Sequence, residues 1–258
     1  MSNHHHLPQE VRDYIVDHFY DDPETLKRCC LISKSWVPRA RKHLFSIVTF
    51  KSADYSKWRK TFPDLMNSPA HHTRTLTVDG ALGSAEEIWW IQSFSRVERL
   101  IVERTPRAEP QPNVLCLAPF YGLGPSLKSL RVHCTVLRHS QVFDLICSLP
   151  LLEDLALRAS NVDDRSCARL PAPTLSPTLT GILKIFVPED MEIILCSLHS
   201  LQGGLHFRKL QLSWCRVRDL ILVEELVVAC SDTLECLDVA GRIYGKSGLV
   251  SLSNQPST

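Results

Sequence analysis

From residue 73 onward one arrangement of apolar positions returns seven times. It reads as an apolar or small residue, two spacers, an apolar residue, one spacer and a further apolar residue. The copies are Thr73-x-x-Leu76-x-Val78, Val97-x-x-Leu100-x-Val102, Leu127-x-x-Leu130-x-Val132, Leu152-x-x-Leu155-x-Leu157, Thr180-x-x-Leu183-x-Ile185, Phe207-x-x-Leu210-x-Leu212 and Leu234-x-x-Leu237-x-Val239. The central leucines stand at 76, 100, 130, 155, 183, 210 and 237, at intervals of 24 to 30 residues. Alternation with a period of two predicts a short strand at each copy. Helices are predicted between several of them. Ser84-x-x-Glu87 is a capping box opening a helix over 86–94, and Ser140 caps one over 141–147 that Pro150 stops. Further apolar-faced helices are predicted over 189–198 and 217–229.

A unit of this size cannot bury its own apolar face, so neighbours must stack and share one core. The period and the LxxLxL core resemble those of the leucine-rich-repeat solenoid. The array is irregular: of the asparagines such repeats carry, only Asn161 sits in a comparable place. Proline-rich stretches over 103–119 and 169–177 read as surface insertions between units. After Val239 no amphipathic terminal helix follows, so either the array is cut short or Leu249–Leu252 seals it.

Residues 7–45 follow a different pattern, with helical periods broken by caps. Pro8 suits a first helical turn, and Val11, Ile15 and Phe19 recur on one face. Asp22-Pro23 is an N-cap followed by an N1 proline, opening a second helix that carries Leu26, Cys29 and Cys30. Ser33 is the expected cap of a third helix, with Trp36 inward, Pro38 distorting or shortening its first turns, and Arg39, Arg41 and Lys42 near its end. A strand over 46–51 comes next. A linker helix capped by Asp54 then carries Tyr55, Trp58, Phe62 and Leu65 as a packing stripe that Pro63 interrupts.

Leu7-Pro8-x-Glu10-Val11, Leu26, and Cys30-Leu31-Ile32-Ser33-Lys34-x-Trp36 together resemble the F-box motif, and the trailing Arg39-x-Arg41-Lys42-His43-Leu44-Phe45 resembles its fungal form. The resemblance implies binding to the Skp-type adaptor of cullin–RING ubiquitin ligases, and hence a substrate receptor that positions a target without doing chemistry itself. Carried over position by position, Leu7, Pro8, Glu10 and Val11 would open the adaptor contact. Leu26, Ile32 and Trp36 would pack within the module or at its interface, and Ser33 with Lys34 would form the turn. The expected fold is α+β or α/β, with a three-helix F-box module followed by an irregular leucine-rich-repeat solenoid. Its segments are a disordered terminus (1–6), the module (7–45), a strand and linker helix (46–70), the array (71–248) and a tail (249–258).

Composition removes other classes. The chain is 44% hydrophobic and 22% charged, as expected of a folded protein. A net charge of +1 gives no general attraction to nucleic acid or anionic membrane. Without a spanning run or an apolar signal region, the expected location is cytosol or nucleus. The ten cysteines lack a CxxC and mostly lie among aliphatic residues, so they read as reduced and structural. His4-His5-His6 reads as a polar tail, and His71-His72, His133 and His139 as scattered surface histidines. No catalytic motif is present and no cofactor or metal is expected.

One competing motif is Ala240-Gly241-Arg242-Ile243-Tyr244-Gly245-Lys246-Ser247, which fits a loose phosphate-loop pattern and gives a remote nucleotide-binding alternative. No room follows it for a strand bearing a magnesium-binding Asp. A nearer alternative is a repeat scaffold for protein interaction with no ligase role. In either case the residues between the buried positions of each strand face outward. The candidate target contacts among them are Arg99, Arg131, His133, Asp154, Arg158, Lys184, Lys209, Gln211 and Asp238. Their mixed signs suit a protein ligand better than a phosphate backbone.

Overall fold

The computed structural model describes residues 7–51, 54–64, 67–79, 90–103, 117–163, 178–187, 191–201 and 203–241. Three helices lead, α1 (Gln9–Asp17), α2 (Pro23–Ile32) and α3 (Val37–Leu44). Then come β1 (Ile47–Phe50), α4 (Asp54–Thr61), a 3-10 turn at Pro69–His72, β2 (Thr75–Asp79) and β3 (Arg99–Glu103). A 3-10 turn at Ala118–Leu123 precedes β4 (Ser129–Arg138), α5 (His139–Cys147), β5 (Asp154–Asp163) and β6 (Ile182–Phe186). The chain continues through α6 (Met191–His199), β7 (Lys209–Cys215), a 3-10 turn at Val217–Asp219, α7 (Leu220–Ala229) and β8 (Cys236–Gly241).

The eight strands form one parallel sheet in chain order, β1 to β8. The α/β class is thus shown, and the register explains it. Leu76, Leu100, Leu130, Leu155, Leu183, Leu210 and Leu237 are successive cross-strand partners, as are the apolar residues two positions on. The first six leucines are fully buried, and so are Val78, Val102, Val132, Leu157, Ile185 and Leu212. Each such side chain contributes about 1.5–3 kcal/mol by leaving water. Sliding any strand by one residue would turn its whole column toward solvent, so burial fixes the register.

Three expectations change. The sheet holds eight strands, one more than the seven repeats counted. Phe45-x-x-Val48-x-Phe50 is a further copy of the pattern, with Val48 opposite Leu76 and Phe50 opposite Val78. Residues 46–70, expected as a strand and linker helix ahead of the array, therefore supply the first strand and its cover. Tyr55 and Trp58 of α4 join Phe50, Trp90 and Phe94 in an aromatic cluster with neighbouring centroids 4.7–5.8 Å apart. In the sixth strand the fully buried leading residue is Leu179, one before the Thr180 expected, because it pairs with Leu205. Asn161 lies inside a strand. It is exposed within β5, which runs on alongside β4 to pair Val136 with Asn161 and Leu137 with Val162.

Helix starts are also refined. α5 begins at His139 directly after β4, which leaves Ser140 inside it, and α7 is preceded by a separate 3-10 turn. α7 is apolar nearly all round. Val223 and Leu226 face the core, while Val217, Leu220, Ile221 and Val228 are exposed. The capping box at Ser84, Leu65, most of both proline-rich stretches, His4–His6, Leu249–Leu252, Cys116 and Cys167 lie outside the described residues. The other eight cysteines carry free thiols.

Candidate functional site

The N-terminal module is held by short-range signals. Asp22 caps α2 by accepting from the Glu24 and Thr25 amides at 3.1 Å each, with Pro23 in the first turn. Ser33 does not cap α3. It ends α2 in extended backbone, and α3 starts at Val37. Pro38 therefore falls in the first turn of a helix that starts later than expected, where its missing N–H is no loss. Pro8 likewise stands just before α1, not inside it.

The core of the module is Val16, Leu26, Cys29 and Ala40, with Phe19, Cys30, Trp36 and Leu44 packed against it. The expected α1 face of Val11, Ile15 and Phe19 is thus rotated: Val16 is fully buried and Val11 is exposed. A polar clasp that the sequence reading missed ties α1 to α3. Arg39 donates through Nε to Asp17 Oδ1 at 2.5 Å and through Nη2 to Oδ2, while His43 Nε2 lies 2.7 Å from Oδ1. Arg39 holds the Asp17 carboxyl well below the ordinary range, against an opposing effect of burial and with help from His43.

Burial sorts the expected adaptor residues. Leu26, grouped with the adaptor residues but open to either packing within the module or a place at its interface, is 1% exposed, so its burial fits the packing role. Trp36 is half-buried on the same core. Pro8, Glu10, Ser33 and Lys34 are exposed, and so are Leu7 (49%), Val11 and Ile32 (63%). Gln9 Nε2 donates to the Ser35 carbonyl at 3.4 Å, which sets the start of α1 beside the α2–α3 turn. Leu7 and Pro8 therefore share one end of the module with Ile32, Ser33 and Lys34. Leu31, 86% exposed, and Tyr14 add apolar surface that the sequence reading passed over. A large apolar residue on the solvent side of a helix was the available signal.

On the sheet, alternation brings the outward candidates into rows across strands. One row runs Thr49, Thr77, Ile101, Arg131, Ala156, Lys184, Gln211, Asp238. A second runs Asp79, Glu103, His133, Arg158, Phe186, Ser213, Ala240. A third holds Thr75, Arg99, Ser129 and Asp154 on one side, and Ile182, Lys209 and Cys236 on the other. All nine expected target contacts are on this face. Three of them, Asp154, Gln211 and Asp238, have internal duties. Asp154 Oδ1 accepts from the Ile182 amide at 2.8 Å, and Asp238 Oδ2 accepts from Gln211 Nε2 at 3.1 Å. Asp154 can reach that amide because residue 181 is glycine, where a Cβ would stand 2.1 Å from Oδ1.

A second ordered row was not foreseen. Two residues before each central leucine, the backbone amides of Arg74, Glu98, Lys128, Glu153, Gly181, Arg208 and Glu235 each donate to the carbonyl of the preceding strand's equivalent residue. Their side chains alternate in sign, broken only by Gly181. Arg74 pairs with Glu98, and Lys128 with Glu153 at 3.7 Å. The signal was legible once the strands were aligned on their leucines.

Among the described residues no three His, Cys, Asp or Glu side chains are grouped to hold a metal. His139, expected at the surface, is buried with its Nε2 against Ser197 Oγ, but that hydroxyl donates to the Ile193 carbonyl, so the contact braces α5 against α6. Burial pushes the Cys215 thiol up to about 11, away from nucleophilic use. Of the phosphate-loop-like stretch, Ala240 and Gly241 end β8, and 242–247 lie outside the described residues. Among the described residues no helix is long and apolar enough to cross a membrane. Compared with protein-family models, curated proteins and solved structures, the chain matches none.

Proposed function

We propose that this chain is an F-box-type substrate receptor. Residues 7–45 dock on a Skp-type adaptor of a cullin–RING ubiquitin ligase, and a leucine-rich-repeat-type sheet presents a protein target. The observation that carries this reading is the apolar surplus of the helical module. A unit with only four fully buried core residues leaves Leu7, Val11, Leu31 and Ile32 in water. Side chains of that kind contribute little to folding and much to an interface once a partner covers them. The residues of the motif divide accordingly: Leu26 and Trp36 build the module, while Leu7, Pro8, Glu10, Val11, Ile32, Ser33 and Lys34 are available to the adaptor. Docking two proteins on one chain acts by raising the target's local concentration near the ligase's catalytic partners.

The test is a titration of the whole chain with a Skp-type adaptor, beside Leu7→Ala/Pro8→Ala and Leu31→Ala/Ile32→Ala. Each pair of changes is expected to weaken binding by about tenfold or more with unchanged circular dichroism, since truncated central apolar contacts each cost about 1 kcal/mol or more. Absence of binding by the folded wild-type chain would leave a protein-interaction scaffold with no ligase role.

A further inference from the structure

The charges on the sheet fall into two sets that behave differently. Along the strand-entry row, Arg74 and Lys128 are neutralised by Glu98 and Glu153 on the adjacent strand. On the outward face, Arg131, Arg158, Lys184 and Lys209 have no ion pair or hydrogen-bonded carboxylate among the described residues, although every one lies on a strand of the same sheet. They occur one per strand from β4 to β7, in staggered rows, with His133 beside Arg158 and Phe186 next along. Within this belt the carboxylate of Asp154 is turned to the Ile182 amide.

We infer that the outward face of β4–β7 is a docking surface for an acidic peptide segment, gripped by Arg131, Arg158, Lys184 and Lys209. This deepens the receptor reading, on which it rests, by naming the chemistry of the target. Four parallel strands about 4.8 Å apart place the outermost cations roughly 14 Å from one another across the sheet. That distance is matched by about four or five residues of extended chain. Carboxylates on such a segment meet a cation on each strand they cross, and Phe186 offers an apolar contact midway. The flanks decide against a nucleic acid. Asp79 stands on β2 and Asp238 on β8, and on β3 Glu103 offsets the outward Arg99, so a polyphosphate longer than the belt would meet carboxylates on both sides of it. A short acidic segment bounded by neutral or basic residues fits between them, and the same acids repel an acidic ligand set in the wrong register.

The test uses the whole chain and fluorescence anisotropy with three labelled probes: a glutamate-rich peptide of about ten residues, a lysine-rich peptide of equal length, and a single-stranded oligonucleotide. The glutamate-rich peptide is expected to bind, to weaken as salt rises, and to lose about tenfold in affinity with Arg158→Ala/Lys184→Ala. These surface changes leave the circular dichroism as in the wild type. No binding of the acidic peptide, binding untouched by the double change, or tighter binding of the oligonucleotide would each overturn the inference. Adaptor titration of the same preparation separates the two claims. Adaptor binding without peptide binding sinks only the acidic segment, and peptide binding without adaptor binding sinks only the ligase role.

Discussion

The helical module and the sheet solve the same problem in opposite ways. In the sheet the apolar columns are enclosed almost completely, because each strand repeats the side chains of its neighbour and covers them. In the module Val16, Leu26, Cys29 and Ala40 are enclosed while larger residues remain outside. The two cores are separate clusters. Among the described residues they meet where Thr73 Oγ1 donates to the Phe45 carbonyl and the amides of Arg74 and Thr75 share the carbonyl of Ser46, with α3 packed on the 3-10 turn at Pro69–His72. A repeated unit draws stability from its neighbours, whereas a lone three-helix unit reserves surface for something else.

The largest test of that contrast is paired truncation. Leu155→Ala and Leu26→Ala each remove a buried leucine and should cost about 2–5 kcal/mol locally. Leu155 lies mid-sheet in a continuous column, so its loss should lower the main denaturation transition monitored by circular dichroism. Leu26→Ala should instead abolish adaptor binding and loosen residues 9–44 in hydrogen exchange, with the main transition kept. A single shared transition lowered equally by both changes would show one cooperative unit and break the distinction.

A smaller effect probes the sheet's one gap in its charged row. A Cβ at Gly181 would meet Asp154 Oδ1 at 2.1 Å and the Glu153 carbonyl at 3.0 Å. Gly181→Ala should displace Asp154 from the Ile182 amide, at about 1–2 kcal/mol for the lost bond and the strain. In an Asp154→Ala background the same change should cost clearly less. Equal costs in both backgrounds would mean that the carboxylate and the glycine are not coupled.

Acid should find the module's side of the molecule first. Burial, then the charge of adjacent His71, hold His72 down at about 4, against an ordinary value near 6.5. The unfolded chain takes that proton first, so stability should decline as pH falls from about 6.5 to 4, and His72→Gln should flatten this limb of the midpoint-versus-pH curve. Asp17 acts lower. Its carboxyl is depressed in the fold, so its contribution is complete above about pH 4, the ordinary range, and fades as pH drops below it. Asp17→Asn should cost about 1 kcal/mol at neutral pH, because Asp17 and Arg39 are only partly shielded from water, and should remove the lower limb.

What the sequence reveals follows the same division. Period-two alternation is a strong signal when it returns at a steady interval, so the strands, their buried columns and their outward rows were all legible from residues such as Leu100 and Arg131. The first strand was legible as a strand, but its membership of the array escaped because Val48 and Phe50 stand where leucine and valine were sought. In the module the caps at Asp22-Pro23 were legible, since they act within three residues. The Asp17–Arg39–His43 clasp and the rotation that buries Val16 in place of Val11 were not, because both depend on how α1 and α3 cross, which local spacing does not encode. The choice between a packing and an interface role for Leu26 stayed open for the same reason. A motif names residues that matter without separating those that pack from those that dock.

The smallest expected effect concerns the two charged rows. Arg74 and Glu98 are both about half exposed, as are Lys128 and Glu153, so solvent screens each pair. Arg74→Ala and Lys128→Ala should each cost a few tenths of a kcal/mol, rarely reaching 1, and the loss should shrink further at high salt. Arg131→Ala and Lys184→Ala, with no ion-pair partner among the described residues, should cost nothing measurable or stabilise slightly by relieving repulsion. Denaturant midpoints at low and high salt distinguish the rows. A stabilising role for Arg131 or Lys184 that vanished in salt would mean that the outward cations are already neutralised within the chain. The outward face would then have no spare charge for an acidic target, and the difference between a row built for folding and a row left for binding would disappear.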